Sequence, residues 1–264
     1  MFSIFQYDFV LRGLIAGIII ALVAPIIGIF LVLRRYSLIA DTLSHVSLAG
    51  IAIGFLTNIN PLFTATATTI IASVFIEKLR NSKRLYGESA LALFLSGSLA
   101  LAIVLIGLSH SFNSTLFNFL FGSITTVTNI DIATVLVLAV VVLAITVFLF
   151  DKILYLTFDQ EAAQVSGINV NLVNTIFAVL TAATISLAIP MVGVLLISAL
   201  LIIPVITALQ FKKTFIPTIL ISQIISVVAV FLGIIISFYF NLATGGTIVL
   251  LTVLIFLLTN LFTK

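Results

Sequence analysis

The stretch LIADTLSHVSLAGIAIGFL, residues 38–56, decides the fold class of this chain. It is an apolar run close to the roughly 20 residues that a helix needs to cross a membrane, yet it contains Asp41 and His45. On a helix, two residues four positions apart lie on the same face. Ionisable side chains are costly in lipid, so this pair is a candidate functional site. A carboxylate with an imidazole can ligate a divalent metal ion.

The composition of the whole chain is that of a membrane protein. Its 264 residues are 62% hydrophobic and only 7% charged, whereas a soluble domain has roughly 25% charged residues. So few charges cannot solvate a globular surface. The absence of cysteine excludes disulfides and thiolate metal sites. The net charge of +3 lies in loops, where it orients the chain in a lipid membrane rather than indicating nucleic acid as a partner.

We therefore expect an all-α polytopic membrane protein, with residues 1–264 forming a single transmembrane domain. Apolar runs of sufficient length predict nine helices, or eight if a short segment does not cross. The predicted spans are 10–33, 37–56, 61–77, 89–108, 131–150, 172–189, 192–210, 217–239 and 247–263. No Walker A motif is present, so the chain is not expected to hydrolyse ATP by that route.

The positive charges predict the orientation. With nine spans, nearly all of them fall on one side, namely Arg34, Arg35, Lys78, Arg80, Lys83, Arg84, Lys152, Lys212, Lys213 and Lys264. The positive-inside bias makes that side cytoplasmic, which places the N-terminus outside the cell membrane and the C-terminus inside. The loop 109–130 then faces outward, where we expect a short interfacial or re-entrant helix. His110 in this loop either assists metal entry or is an ordinary surface histidine.

Asp41 and His45 admit three interpretations. They are ligands on a metal pathway, members of a proton relay, or buried groups satisfied by a neighbouring helix. Two ligands are too few for a tight site, since zinc usually takes four. A transit site must release its ion, and a symmetric dimer would double the ligands to two aspartates and two histidines. The sequence favours the metal pathway.

A second motif follows the fifth predicted span. It reads Glu161-Ala162-Ala163, then three residues, then Gly167. This pattern resembles the coupling helix of permeases in ABC importers. Such a short helix, predicted near residues 159–168, can lie in a groove of a partner subunit. Asp159 is positioned to cap its start.

The two motifs together resemble the permease subunits of the zinc, manganese and iron ABC importers. The resemblance covers VLRRYSLIADTLSHVSLAGIAIG at 32–54, the stretch 158–209, and SFYFNLATGGTIVL at 237–250. In the last stretch Gly246 stands where the family usually has proline.

The resemblance implies half of a homodimeric channel, with a second copy of the chain as partner. Two cytoplasmic ATPase subunits would drive it, and an extracytoplasmic metal-binding protein would deliver the ion. The metal would pass Asp41 and His45, and Glu161, Ala162, Ala163 and Gly167 would couple the chain to the ATPase. No permanently bound cofactor is implied, only the transported divalent ion.

Other functions stay open at this point. A proton-coupled secondary metal transporter would use Asp41 and His45 as a relay and need no ATPase. A permease for iron chelates or vitamin B12 is another alternative, although its bulky substrate needs no acidic ligand at membrane depth. A membrane scaffold leaves the buried charges unexplained. Carboxylate and imidazole ligands suit zinc, manganese and iron alike.

Overall fold

The computed structural model describes residues 6–81, 87–108, 114–194 and 196–262. Regular structure within those ranges is entirely helical. The helices are α1 (Asp8–Leu33), α2 (Leu38–Thr57), α3 (Pro61–Asn81), α4 (Gly87–Leu108), α5 (Ser114–Phe121), α6 (Asn129–Phe148), α7 (Phe150–Phe158), α8 (Gln160–Val165), α9 (Val170–Val192), α10 (Ile197–Leu209), α11 (Phe215–Phe240) and α12 (Thr244–Phe262). A 3-10 turn, Ile124–Thr126, lies between α5 and α6.

Eight of these helices are long and apolar enough to cross a membrane, and they match eight of the nine predicted spans. The remaining predicted span, 192–210, is helical as α10 over 13 residues only. At 1.5 Å per residue this helix is about 20 Å long, shorter than a bilayer core. Four residues named in the sequence predictions, Lys83, Arg84, His110 and Lys264, lie outside the described ranges.

The break between α9 and α10 occurs at Gly193. Its φ of +79° lies in the left-handed region that favours glycine. A Cβ atom at this position would lie 2.6 Å from the carbonyl carbon of Phe121. The backbone amide of Val194 donates a hydrogen bond to the carbonyl of Phe119 at 2.9 Å. Helix α5 thus packs against the break, and it confirms the short helix predicted in 109–130.

Three helices form the interior of the bundle. Within their most apolar windows, 78% of the α9 residues, 72% of the α2 residues and 67% of the α1 residues are buried, against 11% for α4. Helix α2 is therefore one of the most buried helices, although its sequence carries the two ionisable residues. The outer faces of α4, α6 and α12 are left to lipid or to another chain.

An aromatic cluster ties the end of α1 to three other helices. The ring of Phe30 lies 6.0 Å from Phe150, 6.0 Å from Phe177 and 5.3 Å from Phe215, measured between centroids. Such edge and tilted ring contacts stabilise a packed core beyond their area burial. The cluster fixes the end of α1 next to α7, α9 and α11, immediately before the turn that leads into α2.

Candidate functional site

Asp41 and His45 face the same way on α2, as their spacing predicts. Asp41 lies in the first turn of the helix. Its Oδ1 atom is 4.0 Å from Nε2 of His45. At this separation the two side chains do not form a tight ion pair. Both can turn toward a common ion between them.

The opposite face of α2 is fixed by two glycines. Gly50 follows Asp41 by nine residues, which at about 100° per residue is half a rotation of the helix. A Cβ at Gly50 would lie 2.7 Å from Cα of Ala65, and one at Gly54 would lie 2.8 Å from Cα of Pro61. This confirms the close helix contact that the Gly-x-x-x-Gly spacing predicts, here with α3.

The face that carries the ionisable pair is less covered. The side chain of Asp41 is 44% exposed and that of His45 is 17% exposed. Leu38, on the same face one turn earlier, is also exposed. We call this exposed face of α2, with Leu38, Asp41 and His45, the open stripe. Its carboxylate and imidazole are available to another chain or to an ion.

The described part of the chain offers no third metal ligand at this site. No group of three or more His, Cys, Asp and Glu residues comes together within it. The neighbouring hydroxyl of Ser44 donates to the carbonyl of Ala40 at 2.7 Å, and that of Ser47 donates to Ser44 at 2.6 Å. The Nδ1 atom of His45 is buried without a hydrogen-bond partner. The described part of the chain thus brings together two candidate ligands here, fewer than a zinc site usually has.

The position of the α1–α2 turn sets how deep the pair lies along α2. Helix α2 begins at Leu38, because Arg35 has a φ of 54° and belongs to a turn. His45 is seven residues beyond Leu38, or about 10 Å along the helix axis. The pair therefore lies in the first half of α2, with Asp41 close to the α1–α2 turn and His45 closer to the middle of the helix.

The α1–α2 turn is held on one side by α9. Nη2 of Arg34 donates a hydrogen bond to Oδ1 of Asn174 at 2.5 Å. The guanidinium also lies 5.1 Å from the ring centroid of Phe177, one turn further along α9. Burial, together with the positive charge of nearby Arg80, lowers the pKa of Arg34 to about 10. Arg34 therefore remains charged at neutral pH, and Asn174 compensates part of its desolvation.

The same turn is held on its other side by α3. The guanidinium of Arg80 lies 4.6 Å from the ring centroid of Tyr36, a cation–π distance. Arg80 also donates to both carboxylate oxygens of the buried Glu77, at 3.0 and 2.7 Å. Burial raises the pKa of Tyr36 to about 12, so its hydroxyl is neutral. We call Arg34, Tyr36, Glu77, Arg80 and Asn174 together the clasp.

The Glu161–Gly167 motif forms a short helix, as predicted. The side chain of Asp159 accepts a hydrogen bond from the amide of Ala162 at 2.8 Å, which confirms the predicted cap. The helix ends in a Schellman arrangement. The amide of Ile168 donates to the carbonyl of Ala163 at 3.1 Å, and Gly167 has a φ of +82°. We call α8 with its two caps, residues 159–167, the docking helix.

The small residues of the docking helix do not all face outward. Ala163 is fully buried within the chain, whereas Glu161 and Gln164 are exposed. Val165 is 90% exposed, unusually high for a valine. The sequence motif treats Ala162, Ala163 and Gly167 as one functional group. In the structure Ala163 packs against the rest of the chain, whereas Glu161, Gln164 and Val165 form the exposed surface of the helix.

Sequence reasoning missed the clasp. Glu77 is interpretable from sequence as a salt-bridged residue, and its pairing with Arg80 three positions later is a local signal. Arg34 and Asn174, by contrast, are 140 positions apart. No spacing rule connects them, and only a polar residue in an apolar helix marks Asn174 beforehand.

Comparison with known proteins places these features in a family. The sequence model of the ABC 3 transport family matches residues 6–263. The high-affinity zinc uptake system membrane protein ZnuB of Buchnera aphidicola subsp. Schizaphis graminum is 35% identical over 257 residues, covering 97% of this chain and 98% of that protein. The manganese import system permease protein ScaB of Streptococcus gordonii is 34% identical over 252 residues, covering 96% of this chain and 90% of that protein.

A solved structure agrees with the sequence comparisons. PsaBC from Streptococcus pneumoniae, in complex with Fab, superposes with a TM-score of 0.87 and 30% identity, covering 97% of this chain and 92% of that chain. The family match and the structural match confirm the resemblance to metal ABC importer permeases that the two motifs indicate. This chain belongs to the ABC 3 transport family, as a membrane permease subunit.

Proposed function

We propose that this chain is the membrane subunit of an ATP-driven importer for a divalent transition-metal ion, and that the ion passes between Asp41 and His45 of two copies. One observation carries the proposal. A carboxylate and an imidazole lie 4.0 Å apart on the open stripe of an otherwise buried membrane helix. Two copies related by a twofold axis would supply four ligands, a number that holds a transition metal.

The cargo is a first-row divalent ion, and the ligand set admits zinc, manganese and iron. ZnuB and ScaB are named for zinc and manganese respectively. A site made of two carboxylates and two imidazoles contains no thiolate, so it binds the ion less tightly than a structural zinc site made of cysteines. Moderate binding suits transport because the ion must leave again.

The proposed partners follow from this role. A second copy covers the open stripe of α2, cytoplasmic ATPase subunits bind the docking helix, and an extracytoplasmic protein delivers the metal. In such a transporter the chain itself catalyses no covalent reaction, because ATP is hydrolysed on a separate subunit. In this proposal the chain lies in the cell membrane, with its N-terminus outside and its C-terminus in the cytoplasm.

The test is ATP-dependent uptake by the complex of this chain with its ATPase, reconstituted in liposomes, with zinc, manganese and iron offered in competition. We expect Asp41→Asn and His45→Ala each to reduce uptake by at least about a hundredfold, since losing one of the ion's few ligands should cost about 3 kcal/mol or more. Asp151→Asn, which changes an exposed aspartate on α7, is the matched control and should import at the wild-type rate.

Two further measurements separate this proposal from its alternatives. Metal titration of the purified complex should give one ion per two permease chains, and Asp41→Asn should abolish that binding. Uptake that continues without the ATPase and follows a pH gradient would instead identify a proton-coupled carrier. Full uptake by both folded site variants would remove Asp41 and His45 from the pathway.

A further inference from the structure

We propose that the hydrogen bond between Arg34 and Asn174 transmits movement of the docking helix to the metal ligands, with Asn174 as a positioning residue. This inference rests on the proposed function, because it assigns the route by which the ATPase acts on the site. It concerns residues outside both the docking helix and the Asp41–His45 pair.

The docking helix continues into α9 through a short, well-defined connection. Gly167 closes the Schellman arrangement of α8, and the side chain of Asn169 accepts a hydrogen bond from the amide of Leu172 at 3.1 Å, which caps α9. Asn174 follows within the second turn of α9 and is buried. Because both helix ends are capped, a displacement of the docking helix is carried into the first turns of α9 instead of being absorbed by a loose linker.

Asn174 contacts the turn from which α2 begins. Its Oδ1 accepts the hydrogen bond from Arg34, the residue that ends α1. The turn itself is stiff, since the amide of Tyr36 donates to the carbonyl of Leu31 at 2.9 Å and that of Arg35 donates to Val32 at 3.1 Å. This is a second Schellman arrangement. A pull on Arg34 therefore moves the whole turn, together with the start of α2.

Asp41 lies within one turn of that start. Helix α2 begins at Leu38, three residues before Asp41. Its other end is fixed to α3 by the close contacts of Gly54. A helix that is fixed at one end and moved at the other changes the position of the residues near the moved end most. Asp41 and His45 are those residues, so the separation between the ligands of two copies would respond to α9.

The clasp also has features of an element with two arrangements. Among the described residues, the Nδ2 atom of Asn174 and the hydroxyl oxygen of Tyr36 are both buried without a hydrogen-bond partner. Buried polar atoms are nearly always paired in native structures. A modest shift would let the Tyr36 hydroxyl accept from the guanidinium of Arg80, whereas the Nδ2 donor needs a backbone or side-chain oxygen, because a guanidinium only donates. Bistable contacts of this kind convert small shifts into discrete states.

The first test uses Asn174→Leu, which removes the acceptor while keeping the same branched arrangement of four side-chain heavy atoms, in the complex with its ATPase in liposomes. We expect ATP hydrolysis and equilibrium metal binding to stay at wild-type levels, while metal imported per ATP falls about tenfold, a typical coupling factor between sites. Asn174→Asp keeps an acceptor facing Arg34 and should restore coupling. Asn171→Leu is the matched control, because it makes the same change at an exposed position of the same helix.

The second test does not depend on metal. The chain contains no cysteine, so Leu38→Cys places the chain's single thiol at the start of α2, on the stripe that the proposed second copy covers. In detergent-solubilised complex, the rate of thiol modification should differ between the nucleotide-free and ATP-bound states. Adding Asn174→Leu should make the two rates equal, whereas adding Asn171→Leu should leave the difference intact.

The outcomes separate the two proposals. A wild-type complex that imports no metal contradicts the proposed function, and the thiol measurement still tests the transmission. If Asn174→Leu reduces ATP hydrolysis and import in equal proportion, or if Asn174→Asp fails to restore coupling, then Asn174 merely braces the fold and the inference is overturned. An unchanged difference in thiol reactivity in Asn174→Leu overturns it as well.

Discussion

At the scale of single residues, the extent of hydrogen bonding distinguishes a structural carboxylate from a ligand. The carboxylate of buried Glu77 accepts two hydrogen bonds from Arg80 and one from Asn81 at 3.3 Å. Among the described residues, Asp41 has only the Nε2 atom of His45, at 4.0 Å, as a charged or ionisable neighbour. A carboxylate with its acceptor sites filled stabilises a fold, whereas one with open sites on a less covered face can bind an ion.

This contrast predicts the effect of Glu77→Gln. The change leaves the Arg80 guanidinium without its counter-charge beside Tyr36. Removing one partner of a buried ion pair typically destabilises by about 3 kcal/mol. We expect a clearly lower midpoint of thermal unfolding in detergent, with metal affinity kept in the protein that stays folded. Glu88→Gln, at an exposed position on α4, should leave the midpoint unchanged. Equal midpoints for the two variants would show that the clasp does not stabilise the bundle.

What the sequence alone can predict is also clearest for single residues. The pairing of Asp41 with His45 is predictable because it depends only on helical periodicity. The partner of Arg34 is not, because it depends on how α1 packs against α9. The depth of the pair along α2 is only partly predictable. Hydropathy locates the helix, but it does not reveal the turn at Arg35, which sets the residue where α2 begins.

At the scale of elements, the docking helix shows how a motif can be recognised while its surface is not. The spacing from Glu161 to Gly167 identifies a capped helix, because capping is local chemistry. Which small residue faces outward depends on how α8 packs against the rest of the bundle. Ala163 is buried and Val165 is exposed, so the two positions should respond to substitution in opposite ways.

Val165→Glu should weaken binding of the ATPase while leaving the permease folded. The residue exposes nearly all of its apolar surface, and a buried charge at a contact is costly. Co-purification of the ATPase and its metal-stimulated activity are the measurements, with loss of co-purification expected. Ala163→Arg should instead reduce the amount of folded permease, because overpacking a buried site destabilises it. Retained co-purification in Val165→Glu, or a well-folded Ala163→Arg, would contradict this division of roles.

At the scale of the whole molecule, the number of crossings depends on residues 192–210. Helix α10 measures about 20 Å, and it follows a turn in which the amide of Leu196 donates to the carbonyl of Gly193 at 3.3 Å. The helix is shorter than a hydrocarbon core of about 30 Å, so residues 192–210 complete a crossing only if the break at Gly193 lies at membrane depth. Non-helical backbone within a membrane must be buried in protein. The hydrogen bond from Val194 to Phe119 provides such a setting at the break. Hydropathy alone detects the apolar run but not the break, since Gly193 is only one residue of it.

We therefore expect nine crossings, with Lys213 in the cytoplasm and Leu242 outside. The basic residues Lys212 and Lys213 between α10 and α11 agree with that side. Single cysteines at Gln164, Lys213 and Leu242, all exposed positions, can be labelled in intact cells with an impermeant thiol reagent.

Only Leu242→Cys should react from outside. If residues 192–210 did not cross, the sides of α11 and α12 would be inverted, and Lys213→Cys would react in place of Leu242→Cys. Gln164→Cys provides the internal control, because its side does not depend on α10. Reaction at Gln164 from outside would place the docking helix beyond the reach of a cytoplasmic ATPase, and the importer mechanism would fail together with the topology.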